Sequence, residues 1–393
     1  MVNIQLPVIR AQDILVHIIL IRVVLVTAYR SKIMKSILFI GFLFVFFCSS
    51  CNKKKATIQP AKIIRITVDD FVDKEIDLQK VVRKIETIDL SEDSTFLLAH
   101  LKDVTLMDSL LFLLDDVSAT IWTINMNTKK IVYRVCRKGN GPQEFIHPIA
   151  MSAWNGRLYI LDMPMRKVVV LDGNMSPLYD FILPFTALDL AATSSGLLFY
   201  NMTPNEEYGS IIQTDFWGTD RTNLYQAKKE LGLSTSGQKI FVKEAGGNIY
   251  AMFPEEYDIF IWKNESFNPL YHIDYMEASL PDDYDRKRHS VMEEEDYAIP
   301  TNLFVLPEML VNSFLYKEKR YYTFTSQNGE KQITGVVRDK ETDLPFYPQW
   351  QIDNCLIGWC SGEDAIKYLT KGKGLHTASE DSDILLLFYP EFL

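Results

Sequence analysis

The chain is poor in the residues that specialised architectures need. Among 393 residues it has 5 cysteines, 18 glycines and 16 prolines, which excludes a disulfide scaffold, a collagen-like repeat and a low-complexity chain. Lysine and arginine (41) are fewer than aspartate and glutamate (51). The resulting charge of −10 argues against a nucleic-acid-binding protein, which needs a basic surface to displace counterions. The hydrophobic fraction of 47% is that of a packed globular protein.

The sequence also lacks the motifs of common catalytic and metal sites. It contains no H-E-x-x-H, G-x-S-x-G or Walker pattern. An aspartate cluster at 282–285 lacks the glycine and the closing glutamate of a calcium loop. The histidines beyond the N-terminal region have no cysteine or carboxylate at a ligand spacing; they are His100, His147, His272, His289 and His376. We therefore predict no metal site and no cofactor, and calcium or another divalent metal is the alternative that the sequence leaves open.

An export signal is indicated near the N-terminus. The basic start Met34-Lys35 precedes an apolar run from Ile37 to Phe47, which is shorter than the about 20 apolar residues that a membrane-spanning helix needs. Small residues then precede Cys51, and this order resembles the lipobox of bacterial lipoproteins, in which the cysteine carries the lipid. A plain signal peptide or an anchor helix is the alternative.

These features divide the chain into segments. We predict an over-long start at residues 1–33, a lipoprotein signal peptide at 34–50 and a tether at 51–61, with lipidation at Cys51. Without residues 1–50 the chain has 36 basic and 50 acidic residues, a net charge of −14. The expected location is the outer membrane, facing the periplasm, because lysines rather than acidic residues follow Cys51; surface exposure is the alternative.

Strand-like apolar runs recur through the rest of the chain, and most end at a polar or turn residue, as buried strands do. Several are followed by a turn and a second strand, and recurrence of such a unit is typical of repeat architectures. The six runs begin at Leu110, Arg157, Gly196, Asn248, Lys319 and Asp383. The spacing predicts an all-β fold over residues 62–393, a single six-bladed β-propeller.

Ring closure is expected from the N-terminal strands. The last run, Asp383 to Phe388, is interpreted as an inner strand without outer partners, and the strands at 63–68 and 85–90 have no blade of their own. These strands would complete the last blade, which removes exposed sheet edges. A polar segment at 281–297 predicts a short helical insertion between blades 4 and 5, and residues 361–369 predict one short helix.

One loop motif stands out between the first two blades, and its residues are Gly139, Gly141, Pro142, Glu144 and Phe145. We interpret it as a structural blade crossing, in which the two glycines allow positive φ, the proline fixes φ and the phenylalanine fills the space between blades. Phosphate binding is the alternative, but it needs a following helix, and a strand follows here.

The segment from Gly139 to Asp172 resembles the NHL-type repeat, through G-x-G-x-x-x-F, a proline at Pro148, then G-x-x-Y-x-x-D and D-G. Together with the lipoprotein leader and the strand Ile85-Glu-Thr-Ile-Asp-Leu90, it resembles the bacterial six-bladed β-propeller lipoproteins. The resemblance covers the first two blades closely and the rest only as a pattern. It implies the fold and leaves the activity open.

Loops at one end of such a propeller would form a rim around the channel, where binding residues concentrate. The candidate rim residues are Asp115, Asp116, His147, Asp162, Arg166, Glu206, Glu255, Glu256 and Tyr257, and Asn201, Glu207, Gln327 and Asn328 are expected at the same end. Their acidic and aromatic character suits an uncharged polar or a cationic ligand. We predict a non-catalytic binding module at the cell envelope, whose partner is a protein, a peptide or a glycan, with no nucleic acid.

The alternative function is a metal-dependent hydrolase, lactonase or lyase with an acidic site at the channel mouth. Its candidate ligands are Asp115, Glu144, Asp162 and Glu255. Cys355 and Cys360 either pair in an oxidising compartment or stay as buried thiols.

Overall fold

The computed structural model describes residues 62–90, 98–227, 239–253, 256–281, 296–369 and 383–392. These residues form six small β-sheets and two helices, α1 (Val68–Phe71) and α2 (Gly362–Leu369). The predicted all-β, six-bladed propeller is therefore confirmed. The predicted leader and the tether before residue 62 lie outside the described residues, as does most of the polar segment at 281–297.

The strands follow one another in a regular order. The N-terminal ones are β1 (Lys62–Arg65), β2 (Glu75–Asp77) and β3 (Val82–Asp89). Blade 1 contains β4 (Leu101–Met107), β5 (Leu110–Asp115), β6 (Thr120–Asn125) and β7 (Lys130–Cys136). Blade 2 contains β8 (Pro148–Trp154), β9 (Arg157–Asp162), β10 (Lys167–Asp172) and β11 (Pro177–Ile182). Blade 3 contains β12 (Ala187–Thr193), β13 (Gly196–Asn201), β14 (Ile211–Thr214) and β15 (Arg221–Tyr225).

The second half of the ring has the same plan with additions. Blade 4 contains β16 (Phe241–Lys243), β17 (Ile249–Met252), β18 (Asp258–Lys263) and β19 (Ser266–Asp274). Blade 5 contains β20 (Ile299–Val305), β21 (Met309–Tyr316), β22 (Lys319–Ser326) and β23 (Gln332–Arg338). Blade 6 contains β24 (Trp350–Ile352), β25 (Cys355–Ser361) and β26 (Asp383–Pro390), followed across the sheet by β3.

The first strand of every blade borders the central channel, since residues from all six first strands, or next to them, line one cavity. Each first strand begins at the end of the propeller where the second strand finishes, as the pairing of Leu101 with Asp115 and of Pro148 with Asp162 illustrates. We call this end the rim face. The loops that join the second and third strands, and those that lead into each first strand, lie there.

The core consists of six apolar clusters, one between each pair of neighbouring blades. Strand β5 illustrates why the sequence runs are continuously apolar. Leu111 and Leu113 pack toward blade 6, whereas Phe112 and Leu114 pack toward blade 2. Because alternate side chains of a strand point to opposite faces, a strand buried on both faces needs apolar residues at every position. Each such leucine contributes about 1.5–3 kcal/mol by leaving water.

The three N-terminal strands add to three different blades, and one of them closes the ring. β3 pairs with β26 and completes blade 6, as predicted from residues 85–90. The prediction is wrong for the strand at 63–68, because β1 adds to the outer edge of blade 4 in parallel with β19 and the chain then turns into α1. β2 adds to blade 5 in the same way, in parallel with β23. The N-terminal strands thus cover the outer edges of blades 4 and 5 before closing blade 6.

The strand order of blades 5 and 6 differs from the expectation. The runs that begin at Lys319 and Asp383 are third strands, and not the inner part of their blades. The inner strand of blade 6 is β24, which has three residues. The helix predicted at 361–369 is present as α2, and it follows β25 at the rim face.

Candidate functional site

Side chains near the channel connect the first strands of neighbouring blades. A first strand has one open edge whose N–H and C=O groups need partners. Asp103 accepts from Met151 N in blade 2 (2.6 Å), and Ser152 Oγ accepts from Ala192 N in blade 3 (2.9 Å). The Gln351 amide in blade 6 both accepts from Val305 N (2.7 Å) and donates to Val305 O (2.5 Å). These bonds fix the spacing of the blades around the axis.

A buried charge cluster bridges four blades near the rim end of the channel. The Lys239 ammonium, which precedes blade 4, lies 2.6 Å from Asp103 Oδ2 in blade 1 and 3.2 Å from Asp189 Oδ1 in blade 3. It also donates to Met151 O in blade 2 at 3.4 Å. Both aspartate side chains are 2% exposed. Asp189 Oδ2 in turn accepts from the backbone of Ile240 (2.8 Å) and the residue after it.

Burial and attraction act in opposite directions in this cluster. Desolvation alone would lower the pKa of Lys239, but the attraction of Asp103 and Asp189 outweighs it, so the pKa of Lys239 is raised. Desolvation raises the pKa of Asp103 above its ordinary value, although the Lys239 ammonium opposes this rise. The lysine therefore stays charged, and the cluster acts as an ionic bridge across the channel.

Asp115 and Asp162 occupy matching positions at the ends of β5 and β9, and both are fully buried. Asp115 accepts from the backbone N–H groups of Ala99 (2.8 Å), Val117 and Ser118 (both 3.0 Å). Asp162 accepts from the backbone of the loop that leads into β8, at 2.6 Å and 3.4 Å. Both carboxylates hold the hairpins and loops of the rim in place, and neither faces solvent.

Two histidines meet one carboxylate at the rim face between blades 1 and 2. His100 Nδ1 lies 2.7 Å from Asp116 Oδ1, and His147 Nε2 lies 3.7 Å from Asp116 Oδ2. The Asp116 side chain is 7% exposed, whereas the His100 and His147 side chains are 58% and 43% exposed. We call these three residues the rim cluster. Asp116 and His147 are predicted rim residues, but His100 was interpreted as isolated.

The blade-crossing motif is held by its own glutamate and by a buried lysine. Glu144 Oε2 accepts from Gly141 N (2.8 Å), and Lys167 donates to Gly141 O (3.1 Å). The expectation of positive φ at Gly139 and Gly141 is wrong, since neither glycine has a positive φ. A Cβ at either position would overlap the Glu144 carboxylate, so a larger residue there would displace it from Gly141 N. Phe145 lies fully buried between blades 1 and 2.

The remaining predicted rim residues are dispersed. Arg166 and Glu206 are exposed on separate blades. Glu256 is buried and accepts from the Tyr225 hydroxyl (2.6 Å). Tyr257 joins two backbone segments, because its hydroxyl donates to Ala298 O (3.1 Å) and accepts from Leu280 N (2.7 Å). Glu255 and Cys51 lie outside the described residues.

Several sequence expectations about this face need correction. Gln327 and Asn328 follow a third strand, so they lie at the end of the propeller opposite the rim face. Asn201 is fully buried and binds backbone groups, and Glu207 is exposed. Of the acidic residues expected at the rim, Asp115, Asp116 and Asp162 are buried, whereas Glu206 and Glu207 are exposed.

The three cysteines that the structure describes are unpaired. Cys136, Cys355 and Cys360 are free, and the last two lie five residues apart on the same strand, about 16 Å at 3.3 Å per residue. A disulfide between Cys355 and Cys360 is excluded by this separation, since bonded cysteines have Cα atoms within about 7 Å.

In the part of the chain that the structure describes, no group of three or more histidine, cysteine, aspartate and glutamate side chains is arranged to hold a metal ion. Among those same residues, no helix is long and apolar enough to cross a membrane. Of the four carboxylates suggested for a metal-dependent enzyme, Asp115, Asp162 and Glu144 each accept backbone hydrogen bonds instead of converging.

Sequence reasoning missed the channel cluster, although one signal was present. Asp103 and Asp189 are each the third residue of the first strand of their blade. The pairing with the second strand shifts by one residue at both positions, and the side chain then points toward the channel. A charged residue repeated at the same position of a buried strand indicates a buried partner. Lys239 offered no such signal, because it lies 136 residues from Asp103.

One solved structure of low sequence identity supports the fold. A crystal structure described as a "Putative exported protein" from Bacteroides fragilis matches with a TM-score of 0.69 at 16% identity, covering 84% of this chain and 100% of that one. A member of the duf4221 family from Bacteroides vulgatus matches with a TM-score of 0.48 at 8% identity, covering 80% and 98%. No curated protein matches the sequence. The family described as "Domain of unknown function (DUF4934)" matches residues 63–388, and the chain belongs to this family.

Proposed function

We propose that this chain is an exported β-propeller lipoprotein, anchored to the outer membrane through Cys51, that binds a partner without catalysing a reaction. The leader at residues 34–50 and the small residues before Cys51 support export and lipidation. The partner is an envelope protein, a peptide or a glycan. The likeness to NHL-type propeller lipoproteins in the Gly139–Asp172 segment agrees with this assignment.

One observation favours a binding function over a catalytic one. The described carboxylates at the positions where an enzyme would need reactive groups are already used by the scaffold, because Asp115 and Asp162 are fully buried and bonded to backbone N–H groups. These two carboxylates are therefore hydrogen-bonded within the scaffold and are not presented to a ligand at the rim face. Other described groups at the rim face are partly exposed, and they lie on loops that hydrogen bonds to Asp115 and Asp162 hold in place.

The rim cluster is the best candidate for the contact surface. Two imidazoles from adjacent blades flank the buried Asp116 carboxylate, and the hydrogen bond that Asp116 Oδ1 accepts from His100 Nδ1 fixes the orientation of His100. The exposed edges of His100 and His147 can then donate to or accept from a polar partner. Val117, at the tip of the same loop, is 54% exposed and adds an apolar contact.

Site-specific photocrosslinking in intact cells tests this proposal. A crosslinking amino acid at Val117 should give a discrete adduct, which replacement of both His100 and His147 by alanine should weaken. The matched control is Asn174, an exposed turn residue at the opposite end of blade 2, which should give no such adduct. Equal adducts at the two positions would contradict binding at the rim face.

Two further measurements separate the parts of the proposal. Metabolic labelling with a fatty-acid analogue should label the wild-type chain and not Cys51→Ser, and labelling of both would refute lipidation at Cys51.

The enzymatic alternative predicts a rise in melting temperature with calcium or zinc. We expect no saturable rise with either ion, because the described carboxylates are bonded within the scaffold.

A further inference from the structure

Two lysines of the same segment cross the channel in parallel. Lys239 donates to Met151 O and Lys243 donates to Ala153 O, each at 3.4 Å, so both reach from blade 4 to the first strand of blade 2. Their electrostatic surroundings differ. Two buried aspartates lie within ion-pair distance of Lys239, whereas Lys243 forms no ion pair with any residue that the structure describes.

Lys243 stands at the channel mouth opposite the rim face, at the last position of β16. Its ammonium lies 5.1 Å from the ring centroid of Trp154, which forms one wall beside it. The side chain is exposed at the mouth and can be reached from solvent. Desolvation nevertheless lowers the pKa of Lys243, and the more distant Asp353 carboxylate only partly offsets this effect.

The channel beside Lys243 has room for a small group. Its cavity of about 80 Å³ is lined by the first strands of all six blades and exceeds the roughly 30 Å³ that one water molecule occupies. The lining residues include Thr105, whose side chain makes no hydrogen bond to the other described residues, and both Lys239 and Lys243. The Lys243 ammonium uses one of its three N–H groups on Ala153 O. The Gln351 amide is already bonded to backbone groups.

We propose that this mouth of the channel binds a small oxyanion, a carboxylate or a phosphate group, through the Lys243 ammonium. Lys243 has no ion-pair partner among the described residues, and an oxyanion would supply that opposite charge. Lysine binds such groups as a point charge with free N–H donors, which suits a cavity of this size. This site is separate from the rim cluster, and it does not depend on the proposed lipid anchor.

Titration of the purified full-length chain with simple anions tests the proposal. The probes are sodium phosphate, sodium acetate and N-acetyl-dialanine, each raised to about 20 mM at constant ionic strength, with melting temperature and titration heat as readouts. The wild-type chain should give a saturable rise in melting temperature with at least one probe. Response to phosphate or acetate would identify a free ion as the ligand, and response to the peptide alone would identify the acidic end of a larger molecule.

Variants decide whether Lys243 carries the effect. Lys243→Met and Lys243→Gln should abolish the saturable response, whereas Lys130→Met, at an exposed lysine that begins the outer strand of blade 1, should keep it. Lys243→Arg should retain binding because the charge is kept. The proposal is overturned if the wild-type chain responds to none of the three probes, or if Lys243→Met responds as the wild type does.

Discussion

Replacing Lys239 by methionine is the most direct test of the ionic bridge across the channel. The substitution keeps most of the apolar side chain and removes the ammonium with its charge and N–H donors, so Asp103 and Asp189 lose the cation that lies 2.6 Å and 3.2 Å from them. Both carboxylates are 2% exposed, so little water reaches them to replace the ammonium. The variant therefore has two buried negative charges with no cation between them.

The expected loss can be given a magnitude and a pH dependence. Removing one partner of a buried ion pair costs about 3–5 kcal/mol of unfolding free energy. Burial raises the pKa of Asp103 in the folded state, and the loss of Lys239 raises it further. The folded chain then binds a proton that the unfolded chain has released, so the stability of the variant falls as the pH rises above about 3.9, the ordinary pKa of aspartate. The deficit should be smaller at about pH 5 than at about pH 8.

Urea unfolding followed by tryptophan fluorescence at both pH values measures the effect. Lys130→Met, at an exposed lysine, is the control and should stay within about 0.5 kcal/mol of the wild type. Adding Asp103→Asn to Lys239→Met should recover part of the loss, because one buried charge is removed. A deficit below about 1 kcal/mol at both pH values would refute the argument, since that is the value of a solvent-screened surface pair.

Three other predictions concern the scaffold. Gly139→Ala should lower the unfolding free energy by about 0.5–1.5 kcal/mol, because its Cβ would displace the Glu144 carboxylate from its hydrogen bond with Gly141 N. Gly173→Ala, whose nearest neighbour would be 3.5 Å away, should change little in the same urea titration. Asp162→Ala should cost about 1–3 kcal/mol by leaving buried N–H groups without acceptors, measured in the same way. In a thiol-reagent assay near pH 8, Cys136→Ser should remove the fast reaction, while Cys355 reacts slowly, because burial raises its pKa to about 12.

The second strands of the first three blades were predictable because both of their faces are buried. β5, β9 and β13 have the bounds that the apolar runs indicate, Leu110–Asp115, Arg157–Asp162 and Gly196–Asn201. In β13, Leu197 and Phe199 pack toward blade 2, and Leu198 and Tyr200 pack toward blade 4. A run that is apolar at every position over six residues is a strong local signal, and it does not depend on the rest of the chain.

The strand order of the last two blades was not predictable in the same way. The inner strand of blade 6, Trp350–Ile352, has three residues, which is too short for an alternating pattern to emerge. The pairing of β1 with blade 4 and β2 with blade 5 joins segments about 200 and 260 residues apart, respectively, so no local pattern specifies it. Because the run that begins at Lys319 is a third strand, Gln327 and Asn328 lie at the end opposite the one expected.

The candidate site was only partly predictable for a related physical reason. A turn aspartate next to a buried strand has the same local sequence whether it binds a ligand or the backbone, and only the neighbouring loop decides between the two. Asp115 and Asp116 are adjacent, yet the first is bonded to three backbone N–H groups and the second meets two histidines. His100 was missed because its partner is supplied by the next hairpin.

The two lysines that span the channel give its two ends different properties. Near the rim face, Lys239 is matched by carboxylates from blades 1 and 3, so the charges at that end satisfy one another. At the opposite mouth, Lys243 has a backbone carbonyl and an aromatic ring as neighbours, and no carboxylate within ion-pair distance among the described residues. An anion entering from that mouth would not cross the Lys239 bridge. Alanine at His100 and His147 should therefore leave the phosphate and acetate titrations unchanged, while Lys243→Met should leave crosslinking at Val117 unchanged.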